Sequence, residues 1–588
     1  MFKKVLVANR GEIAVRVFRA LHELGIGSVA VYSEADRGSL HAGYAQEAYA
    51  IGGRTAAESY LDAGKLLDVA RRAGAEAVHP GYGFLAESAV FARAVEAAGL
   101  VWIGPPPEAI ELMGTKTTAR ALMRDAGVPI IPGTTEPVSS AAEVTALGKE
   151  LGYPLLVKAA AGGGGKGMKV VSSPDEAAAA FESARREGQA YFADGSVYIE
   201  RYLEDPRHVE VQILADAHGA VIHLGERDCT IQRRHQKLVE ETPSPAVTPE
   251  LRERIGQIAV DAARAVGYRS AGTIEGLLAP DGAYYFMEMN TRIQVEHTVT
   301  ELVTGVDLVR EQILIAAGEP LWLRQEDVVL RGHAIECRIN AEDPSTGFLP
   351  SPGRITSYRE PAGPGVRVDS GVAAGSEVSD VYDPLIAKLI VHDTDREHAR
   401  LRMLRALAEF EIRGVTTLVG FHRALLSHPG FIAAETCRTV VESSELQEAA
   451  EQFSHRATNL PVAPDGALSV QTAMAEVDGR RIEVRVLRPE PAYRALGRRR
   501  LERGPDAGSG HAADFIVSPM QGTVLDVRVG DGDEVAHGAI ICVIEAMKME
   551  NEVTAHRAGV VTQLSVKPGG SVASGQVICV VADALETG

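Results

Sequence analysis

The sequence predicts an α/β protein that ends in a small all-β sandwich. The chain opens with an apolar run, KVLVANRG, a helical pattern, EIAVRVFRALHELG, and a second apolar run, GSVAVYSEAD. This strand–helix–strand order is typical of an α/β domain. Near the C-terminal end, residues 522–545 match residues 559–582 at a constant offset of 37, with 10 of 24 positions identical. Each copy reads as short Val- and Ile-rich strands broken by turns, which indicates a sandwich.

Composition excludes several classes of function. The 588 residues carry a net charge of −19, which argues against nucleic acid as a partner. The five cysteines form no CxxC pair and are predicted to be reduced, buried thiols of a cytoplasmic protein. No apolar run approaches the length of a membrane span, and Arg10 and Glu12 interrupt the first run too early for a signal peptide.

The chain is long enough for about four domain-sized units and a linker. The segment between 448 and 512 is rich in charge, Gly and Ala towards its end, and we predict a linker there. Within it, AMAEVDGRRIEVRVL predicts a small β-hairpin around Asp478 and Gly479. The predicted segments are 1–114, 115–330 with a lid at about 135–203, 331–447, 448–512 and 513–583.

The connection between the two C-terminal repeats contains EAMKME, residues 545–550. Since neither repeat could bury a core alone, the two should form a sandwich of approximate two-fold symmetry. Lys548 should then stand at the tip of a hairpin. The chain has only 12 lysines against 48 arginines, which favours a chemical role for this one. An unmodified surface lysine is the alternative.

SPMQGTV, EAMKME and the matching second half resemble the biotin-carrier domain of biotin-dependent carboxylases. Lipoyl domains are similar in fold, but their lysine usually lies in a DKA context, whereas Lys548 lies between Met547 and Met549. The resemblance implies that a biotin protein ligase attaches biotin covalently to Lys548. The lysine then serves as a tether.

The stretch LLVKAAAGGGGKGMKVV, residues 155–171, holds a run of glycines. It satisfies GxGxxG, but a dinucleotide site needs a helix after the glycines, and MKVV is strand-like. A Walker loop fails because Gly167 follows Lys166. Strand, glycine loop and strand instead predict a flap whose backbone N–H groups close over phosphates. A flexible hairpin without a ligand is the alternative, which Lys158 disfavours.

Residues 1–447 resemble the biotin carboxylase branch of the ATP-grasp superfamily. The motifs that carry the resemblance are LVANRGEIAVR, HPGYGFLAE, GTKTTAR, VKAAAGGGGKGM, IERYLEDPRHVEVQ, RDCTIQRRHQKLVEE, MEMNTRIQVEHTVTE and HAIECRINAEDP. The implied fold is an ATP-grasp biotin carboxylase with an α/β N-terminal domain and a glycine-rich lid, followed by the biotinyl-type sandwich. The implied substrates are ATP, bicarbonate and biotin.

MEMNTRIQVE alternates polar and apolar residues from Glu288 to Glu296. In a strand this would place carboxylates, an amide and a guanidinium on one face, and the pattern alone favours an amphipathic strand with a solvated face. The resemblance implies that Glu288 and Asn290, with Glu275, are ligands of Mg²⁺ or Mn²⁺.

The resemblance also assigns four catalytic residues. Arg292 and Lys237 would hold bicarbonate, and Glu296 would be the base that deprotonates it. Arg338 would stabilise charge that develops on the ureido oxygen of biotin. The positions assigned to nucleotide and cofactor binding are Lys116, Lys158, Gly163, Gly164, Gly165, Glu200, His208, Gln232, His235, Glu275, Gln294 and Val295.

Together the resemblances imply the α subunit of an acyl-CoA carboxylase, of the actinobacterial acetyl/propionyl-CoA type that feeds fatty acid biosynthesis. The carboxyl group would pass to a separate carboxyltransferase β subunit in a hetero-oligomer, and the biotin carboxylase domains would self-associate. Three alternatives remain. The chain could be another ATP-grasp ligase, although those lack the carrier domain. It could also be a biotin carrier with a decayed ATP site, or a methylcrotonoyl-type α subunit. The last usually has a longer segment between carboxylase and carrier.

Overall fold

The computed structural model describes residues 1–159, 168–192, 194–458, 468–477, 480–489, 515–546 and 549–582. The chain divides into two compact units, Met1–Phe453 and Ser454–Gly588. No helix in the described ranges is both long and apolar enough to span a bilayer. The predicted class, α/β followed by an all-β sandwich, is confirmed. Short 3₁₀ turns lie at Glu34–Asp36, Pro174–Glu176, Gln325–Asp327 and Pro344–Thr346.

The N-terminal part is a parallel five-stranded sheet of order β3-β2-β1-β4-β5. Its strands are β1 Lys4–Val7, β2 Gly27–Tyr32, β3 Glu47–Ala50, β4 Ala77–His79 and β5 Val101–Trp102. Its helices are α1 Gly11–Glu23, α2 Leu40–Tyr44, α3 Ala63–Ala73, α4 Ala89–Ala97 and α5 Pro107–Gly114. As predicted, the first strand, helix and strand form a βαβ unit, because β1 and β2 pair in parallel.

A three-stranded antiparallel sheet of order β7-β6-β8 follows. The elements of this part are α6 Lys116–Asp125, α7 Ala141–Leu151, β6 Leu155–Ala159, β7 Met168–Val171, α8 Ala177–Phe192 and β8 Val197–Arg201. The predicted strands on both sides of the glycine run are therefore present as β6 and β7. The glycines of residues 160–167 lie outside the described residues.

The centre of the first unit is an eight-stranded sheet of order β13-β12-β9-β10-β11-β14-β21-β19. Five strands and three helices come from one stretch of chain: β9 Arg207–Ala215, β10 Val221–Arg233, β11 Gln236–Thr242, α9 Pro249–Ala265, β12 Ser270–Leu278, β13 Tyr284–Asn290, α10 His297–Thr304 and α11 Leu308–Ala316. Strand β9 alternates, so that Val209, Val211 and Ile213 pack in the core with α9. Its polar residues therefore face the opposite side of the sheet.

The remaining strands of this sheet come after the predicted boundary at 330. This part contains β14 His333–Asn340, β15 Glu342–Asp343, β16 Leu349–Pro350, β17 Gly353–Arg354, β18 Ser357–Arg359, β19 Val366–Ser370, β20 Glu377–Val378, β21 Leu385–Asp393, α12 Arg396–Glu409, β22 Glu411–Arg413, α13 Val419–Ser427, α14 Pro429–Ile432, α15 Arg438–Val441 and α16 Ser444–Thr458. Strand β14 pairs with β11, so the sheet runs without a break across the boundary. Helix α16 likewise crosses the predicted boundary at 447.

The predicted strand through MEMNTRIQVE is wrong beyond Asn290. Strand β13 ends there, and residues 291–296 leave the sheet before α10 begins at His297. Strand β13 is the edge strand of the sheet, and its outer side makes only an isolated bridge, between Phe286 and Ile130. The polar side chains after Asn290 therefore diverge instead of sharing one face.

The second unit contains a hairpin and the sandwich. In the hairpin, β23 Leu468–Val477 pairs with β24 Arg480–Pro489, which confirms the predicted pairing around Asp478 and Gly479 although those two residues lie outside the described ranges. The sandwich strands are β25 Phe515–Val517, β26 Gly522–Val527, β27 Glu534–Val535, β28 Ile540–Ala546, β29 Met549–Thr554, β30 Gly559–Thr562, β31 Ser571–Val572 and β32 Val577–Ala582.

The sandwich has two four-stranded sheets, of order β25-β32-β30-β27 and β29-β28-β26-β31. Each repeat contributes one short strand, β27 or β31, to the sheet that holds the other repeat's long strands. Cys542 and Cys579, equivalent in the two repeats, are both fully buried in the shared core. The prediction that neither repeat buries a core alone is confirmed. All five cysteines are free and buried, as predicted.

A buried ion pair joins β11 to α12 in the first unit. The Glu241 carboxylate accepts hydrogen bonds from the Arg396 guanidinium at 2.7 and 3.0 Å and lies 2.8 Å from His333 Nε2. Burial opposes the charged form, but the hydrogen bonds from His333 and Arg396 lower the pKa of Glu241 to about 2. The ionised carboxylate therefore stabilises the folded state.

We expect Glu241→Gln to lower the free energy of unfolding at pH 7 by up to about 3 kcal/mol. Because the folded pKa is depressed, this stabilisation is present above the unfolded pKa and is lost as pH falls towards 2. Thermal unfolding at pH 7 and pH 3 should show a gap between variant and parent that narrows at pH 3. Glu397→Gln is the control, since its pair with Arg400 is exposed at the carboxylate. A gap that does not change with pH would contradict this account.

Candidate active site

A row of charged side chains crosses four strands of the eight-stranded sheet. Arg227 on β10 lies opposite Glu210 on β9, which lies opposite Glu275 on β12, which lies opposite Glu288 on β13. These residues point away from the α9 core and share one face. Arg227 and Glu210 are completely buried, and Glu275 is nearly so. Like charges in adjacent positions destabilise a sheet unless a cation separates them.

The cation is Lys237 on β11. Its ammonium lies 2.6 Å from Glu210 Oε2, 2.9 Å from Glu275 Oε1 and 2.6 Å from Glu296 Oε1. Burial works against the ammonium charge, but the three carboxylates raise the pKa of Lys237 well above its ordinary value. Burial would also raise the pKa of Glu275, yet Lys237 and His208 lower it well below the usual range. Lys237 and Glu275 are therefore ionised at neutral pH.

Glu296 stands at the N-terminus of α10 and is buried between two cations. One carboxylate oxygen contacts Lys237, and the other lies 2.9 Å from Arg338 Nη2. Burial raises its pKa, but Lys237, Arg338 and Arg227 together lower the pKa of Glu296 well below the usual range. Arg338 also donates through Nε to Glu240 Oε1 at 2.6 Å. Two predicted catalytic residues thus touch the predicted base directly.

Arg227 fixes the amide of Gln294. Its guanidinium donates to Gln294 Oε1 at 2.7 Å and to Glu210 Oε1 at 2.6 Å. Gln294 Nε2 then donates to Glu275 Oε1 at 2.6 Å. Because Arg227 binds the amide oxygen, the NH₂ group is turned towards the carboxylate, and the loop that follows β13 is tied to the charged row.

Arg292 is held at a different place from Glu296. Its Nε lies 2.9 Å from Glu87 Oε2, on the loop before α4, and its Nη2 donates to Asn290 Oδ1 at 2.7 Å. The backbone N–H of Thr291 also donates to Glu87. Burial disfavours its charge, but Glu87 and then Glu296 raise the pKa of Arg292. Glu87 therefore fixes the direction of the guanidinium.

Glu275, Glu288 and Asn290, the predicted metal ligands, lie close together on β12 and β13. Glu275 pairs directly with Glu288 across the strands, and Asn290 is two residues further along the same face. Burial and the charge of Glu275 raise the pKa of Glu288, whose nearest described cation is Lys116 at 3.8 Å. Glu288 thus lacks a close counter-ion among the described residues. These oxygen donors fit Mg²⁺, which prefers carboxylates and keeps several waters.

Two other groups have the spacing of metal ligands, since the ligand atoms in each lie within 4.8 Å of one another. They are His208 with Glu210 and Glu275, and Glu210 with Cys229 and Glu296. The Lys237 ammonium already lies among their carboxylates, and histidine or thiol ligands suit softer ions than Mg²⁺. The chemistry of the donors therefore favours the pair Glu275 and Glu288.

Lys158 on β6 and Glu200 on β8 form a buried pair on neighbouring strands of the three-stranded sheet. The Lys158 ammonium lies 2.5 Å from Glu200 Oε2, while Arg120 on α6 contacts Glu200 Oε1. Arg120 also donates to the backbone carbonyl of Ile131 at 2.8 Å. In this structure Glu200 therefore holds Lys158 in place and connects the sheet of β6, β7 and β8 to α6.

Three other predicted nucleotide-binding residues lie on β9, on β10 and at the turn that follows β10. His208 Nε2 is 3.1 Å from Glu275 Oε2, and Gln232 Nε2 is 3.1 Å from His208 Nδ1. His235 lies at the turn between β10 and β11, where burial, then Arg438, Lys158 and Lys116 lower its pKa. Lys116 on α6 and Lys158 on β6 are thus both close enough to the His235 imidazole to affect its pKa. Gly163, Gly164, Gly165 and Lys548 lie outside the described residues.

The strands that flank Lys548 are described. Strand β28 ends at Ala546, which pairs with Met549 at the start of β29.

Five residues that hold the site together were not predicted from the sequence. Glu210 belongs to HVEVQ, whose alternation would have placed it on the face of His208. Alternation does not indicate the position of Arg227, because the register of β10 shifts along the strand. Glu87, Arg120 and Glu240 reach the site from separate segments, and no spacing in the sequence indicates their contacts.

Four family models match the chain. They are "Biotin carboxylase, N-terminal domain" over residues 1–110, "Carbamoyl-phosphate synthase L chain, ATP binding domain" over 115–324, "Biotin carboxylase C-terminal domain" over 336–443 and "Biotin-requiring enzyme" over 514–581. The matched segments include every described site residue from Glu87 to Arg338. They leave the hairpin of β23 and β24 unmatched.

Two relatives illustrate the similarity in sequence. The biotin-dependent acyl-coenzyme A carboxylase alpha3 subunit of Mycobacterium leprae is 47% identical over 578 residues, which are 95% of this chain and 95% of that protein. The biotin carboxylase of Nostoc sp. is 54% identical over 441 residues, which are 75% of this chain and 99% of that protein. The first similarity therefore extends through both compact units.

Solved structures match the first unit. The biotin carboxylase domain dimer of the 2-oxoglutarate carboxylase of Hydrogenobacter thermophilus, in complex with MgADP, ADP and bicarbonate, gives a TM-score of 0.73 at 49% identity, covering 76% of this chain and 99% of that chain. Biotin carboxylase of Campylobacter jejuni, as a β,γ-ATP complex, gives 0.73 at 44% identity, covering 75% and 99%. These similarities confirm the predicted ATP-grasp carboxylase fold.

Proposed function

The chain belongs to the biotin-dependent carboxylases, as a biotin carboxylase joined to a biotin-carrier domain, and we propose how its own residues carry out the reaction. It uses ATP and bicarbonate to carboxylate biotin held on its carrier domain. The carboxyl group then passes to a separate carboxyltransferase β subunit. The observation that carries the proposal is the cluster of Lys237, Glu296 and Arg338.

This cluster suits a small oxyanion that must lose a proton. Lys237 offers a buried point charge, and Arg338 offers a planar fork, so both attract bicarbonate. Glu296 between them is ionised at neutral pH and can accept the bicarbonate proton. An incoming oxyanion competes with Glu296 for the two cations, and this competition raises the proton affinity of the carboxylate when the substrate arrives.

Arg292 provides a second guanidinium for the same anion. Because Glu87 binds its Nε and Asn290 accepts from its Nη2, its orientation is fixed before the substrate binds. Gln294 and the backbone of Val295 belong to the same segment and lie next to the proposed base. The deprotonated bicarbonate attacks the γ-phosphate of ATP and displaces ADP. The resulting carboxyphosphate breaks into CO₂ and phosphate, the phosphate takes the ureido proton of biotin, and the ureido nitrogen attacks CO₂.

Glu275, Glu288 and Asn290 would hold Mg²⁺ or Mn²⁺, which would neutralise charge on the ATP phosphates. Lys116 and Lys158 neutralise further phosphate charge, and the backbone N–H groups of the lid glycines are proposed to close over the phosphates. Lys158 is paired with Glu200 in this structure. Phosphate oxygens would therefore compete with that carboxylate for the ammonium, which couples nucleotide binding to the lid.

Arg338 has a second role in the proposed reaction. Its guanidinium would bind the ureido oxygen of biotin as negative charge develops there. The same side chain bonds Glu296 and Glu240. The pKa of Glu240 is raised by burial to about 8, against the opposing effect of Arg338. Arg338 thus connects the bicarbonate half of the site to the biotin half.

Acetyl-CoA or propionyl-CoA is the proposed final acceptor, which would place the chain in fatty acid biosynthesis. The Mycobacterium leprae relative is an acyl-coenzyme A carboxylase subunit, which supports this class. A hetero-oligomer with the β subunit, modification by a biotin protein ligase and self-association of the carboxylase domains are part of the proposal, and the Hydrogenobacter thermophilus domain is a dimer. Five free, buried cysteines support a cytoplasmic location.

We expect biotin on Lys548 and on no other lysine. Intact mass and peptide mapping of the purified chain check this, with Lys567 in the second repeat as the internal comparison. Lys548→Arg should keep the charge but abolish acyl-CoA carboxylation in the presence of the β subunit, since a guanidinium cannot form the amide. Carboxylation of free biotin by this variant should stay unchanged. A lipoyl mass on Lys548 would contradict the assignment.

Glu288→Gln should raise the KM for Mg·ATP about tenfold with little change in Tm, because its nearest described cation is 3.8 Å away and little pairing is lost. Glu275→Gln should also lower Tm, because Glu275 shares the Lys237 ammonium. Glu96→Gln, on the exposed surface of α4, is the matched control. Full bicarbonate-dependent ATP hydrolysis in both Glu275→Gln and Glu288→Gln would show that the metal lies elsewhere.

The chain alone should make carboxybiotin from free biotin, ATP, Mg²⁺ and bicarbonate, and should carboxylate no acyl-CoA. Arg338→Ala should reduce carboxybiotin formation far more than bicarbonate-dependent ATP hydrolysis. Because Arg338 also contacts Glu296, we expect bicarbonate-dependent ATP hydrolysis to fall as well, but by less than carboxybiotin formation. Phosphate and carboxybiotin measured in the same samples give the ratio. An equal loss of both would place Arg338 in the bicarbonate set alone, and acyl-CoA carboxylation by the isolated chain would overturn the proposed need for a β subunit.

A further inference from the structure

Lys388 on β21 is a completely buried lysine outside the residues assigned so far. It lies directly opposite Arg338 on β14 and opposite Asp369 on β19. Directly opposed residues point to the same face of a sheet, so Lys388 lies on the face that carries the charged site. Its position is one strand further from Lys237 than that of Arg338.

The Lys388 ammonium reaches across to the loop that follows β13. It donates a hydrogen bond to the backbone carbonyl of Val295 at 2.9 Å. Glu12 Oε2 on α1 lies at 3.3 Å, and Asp369 Oδ2 lies at 4.0 Å. The ammonium is thus shared by the N-terminal helix, the central sheet and the loop.

Val295 lies between the two loop residues that enter the charged cluster. Gln294 is held through its amide by Arg227 and Glu275, and Glu296 is held through its carboxylate by Lys237 and Arg338. Because residues 291–296 have left the sheet, no strand partner fixes this peptide. A shift of the Val295 carbonyl would move both neighbouring side chains, since the two peptide planes share its Cα atom.

Burial of an ammonium group destabilises the folded state unless its contacts compensate for the lost hydration. Replacement of buried ionic groups by apolar ones of similar volume is often neutral or stabilising. Here the hydrogen bond to Val295 acts on a loop next to the proposed base, whereas Glu12 is an ion-pair partner of the ammonium at the longer distance of 3.3 Å. The arrangement is better suited to holding the loop than to holding Glu12.

We propose that Lys388 is a positioning residue that fixes the segment from Gln294 to Glu296 for bicarbonate. This inference rests on the proposed function, because it takes the segment as the bicarbonate site. Lys388 does not touch the substrate. It acts through the Val295 carbonyl, which holds Gln294 and Glu296 at the spacing that the anion requires.

The test compares Lys388→Met with Glu12→Gln and with the double variant Glu12→Gln/Lys388→Met. Methionine keeps the length of the side chain but removes the donor, and the double variant removes the Glu12 carboxylate together with the ammonium, while Asp369 keeps its pair with Arg367. We expect Lys388→Met and the double variant to raise the KM for bicarbonate about tenfold while the KM for ATP stays within about twofold. Glu12→Gln keeps the ammonium and its bond to Val295, so its KM for bicarbonate should match the parent.

Hydrogen–deuterium exchange gives a readout that does not require activity. Peptides that cover residues 290–300 should exchange faster in the double variant than in the parent, and peptides from the carrier sandwich should be unchanged. A parent chain without bicarbonate-dependent ATP hydrolysis would refute the proposed function, while the exchange data would still decide the role of Lys388. Equal increases in both KM values, unchanged exchange, or a double variant that does not fold would each overturn the positioning role.

Discussion

The buried ammonium of Lys237 is the interaction on which the rest of the site depends. It lies within 2.9 Å of carboxylate oxygens from β9, β12 and the start of α10, three elements that are far apart in the chain. Without this cation, Glu210 and Glu275 would be adjacent unbalanced charges on neighbouring strands. Arg227 balances the other end of the row. A charged face that would otherwise oppose folding is thereby held in one arrangement, which the proposed bicarbonate site uses.

The loop between β13 and α10 turns this charged face into an active site. If residues 291–296 had continued the strand, Arg292, Gln294 and Glu296 would lie in a line along the edge of the sheet. Because the chain leaves the sheet at Asn290, Arg292 turns towards Glu87 while Glu296 turns towards Lys237 and Arg338. Three residues that are two apart in the sequence therefore approach a common space from different directions, which is the geometry needed to surround a small anion.

Much of the fold follows from local patterns in the sequence. The alternation of apolar residues indicates β1 and α1, and the repeat with offset 37 indicates the sandwich, because both reflect burial of neighbouring residues. The same alternation fails after Asn290, where long-range ion pairs with Glu87 and Lys237 outweigh the local preference for a strand. The contacts of Glu240 and Lys388 depend on the register between β11, β14 and β21, which local spacing does not encode. The family resemblance supplied the proposed site residues, while their mutual arrangement required the structure.

The pairing of β14 with β11 has a consequence for the order in which the protein is made. During synthesis, β9 to β13 emerge before β14, β21 and β19. Until β14, which ends at Asn340, has left the ribosome, β11 is an open edge that presents unpaired backbone groups and the carboxylates Glu240 and Glu241, which are buried in the folded protein. Such an edge is a site for pairing with other nascent chains. The central sheet can therefore close only late in translation, and a gene cut between α11 and β14 would encode two fragments that each expose half of a strand pair.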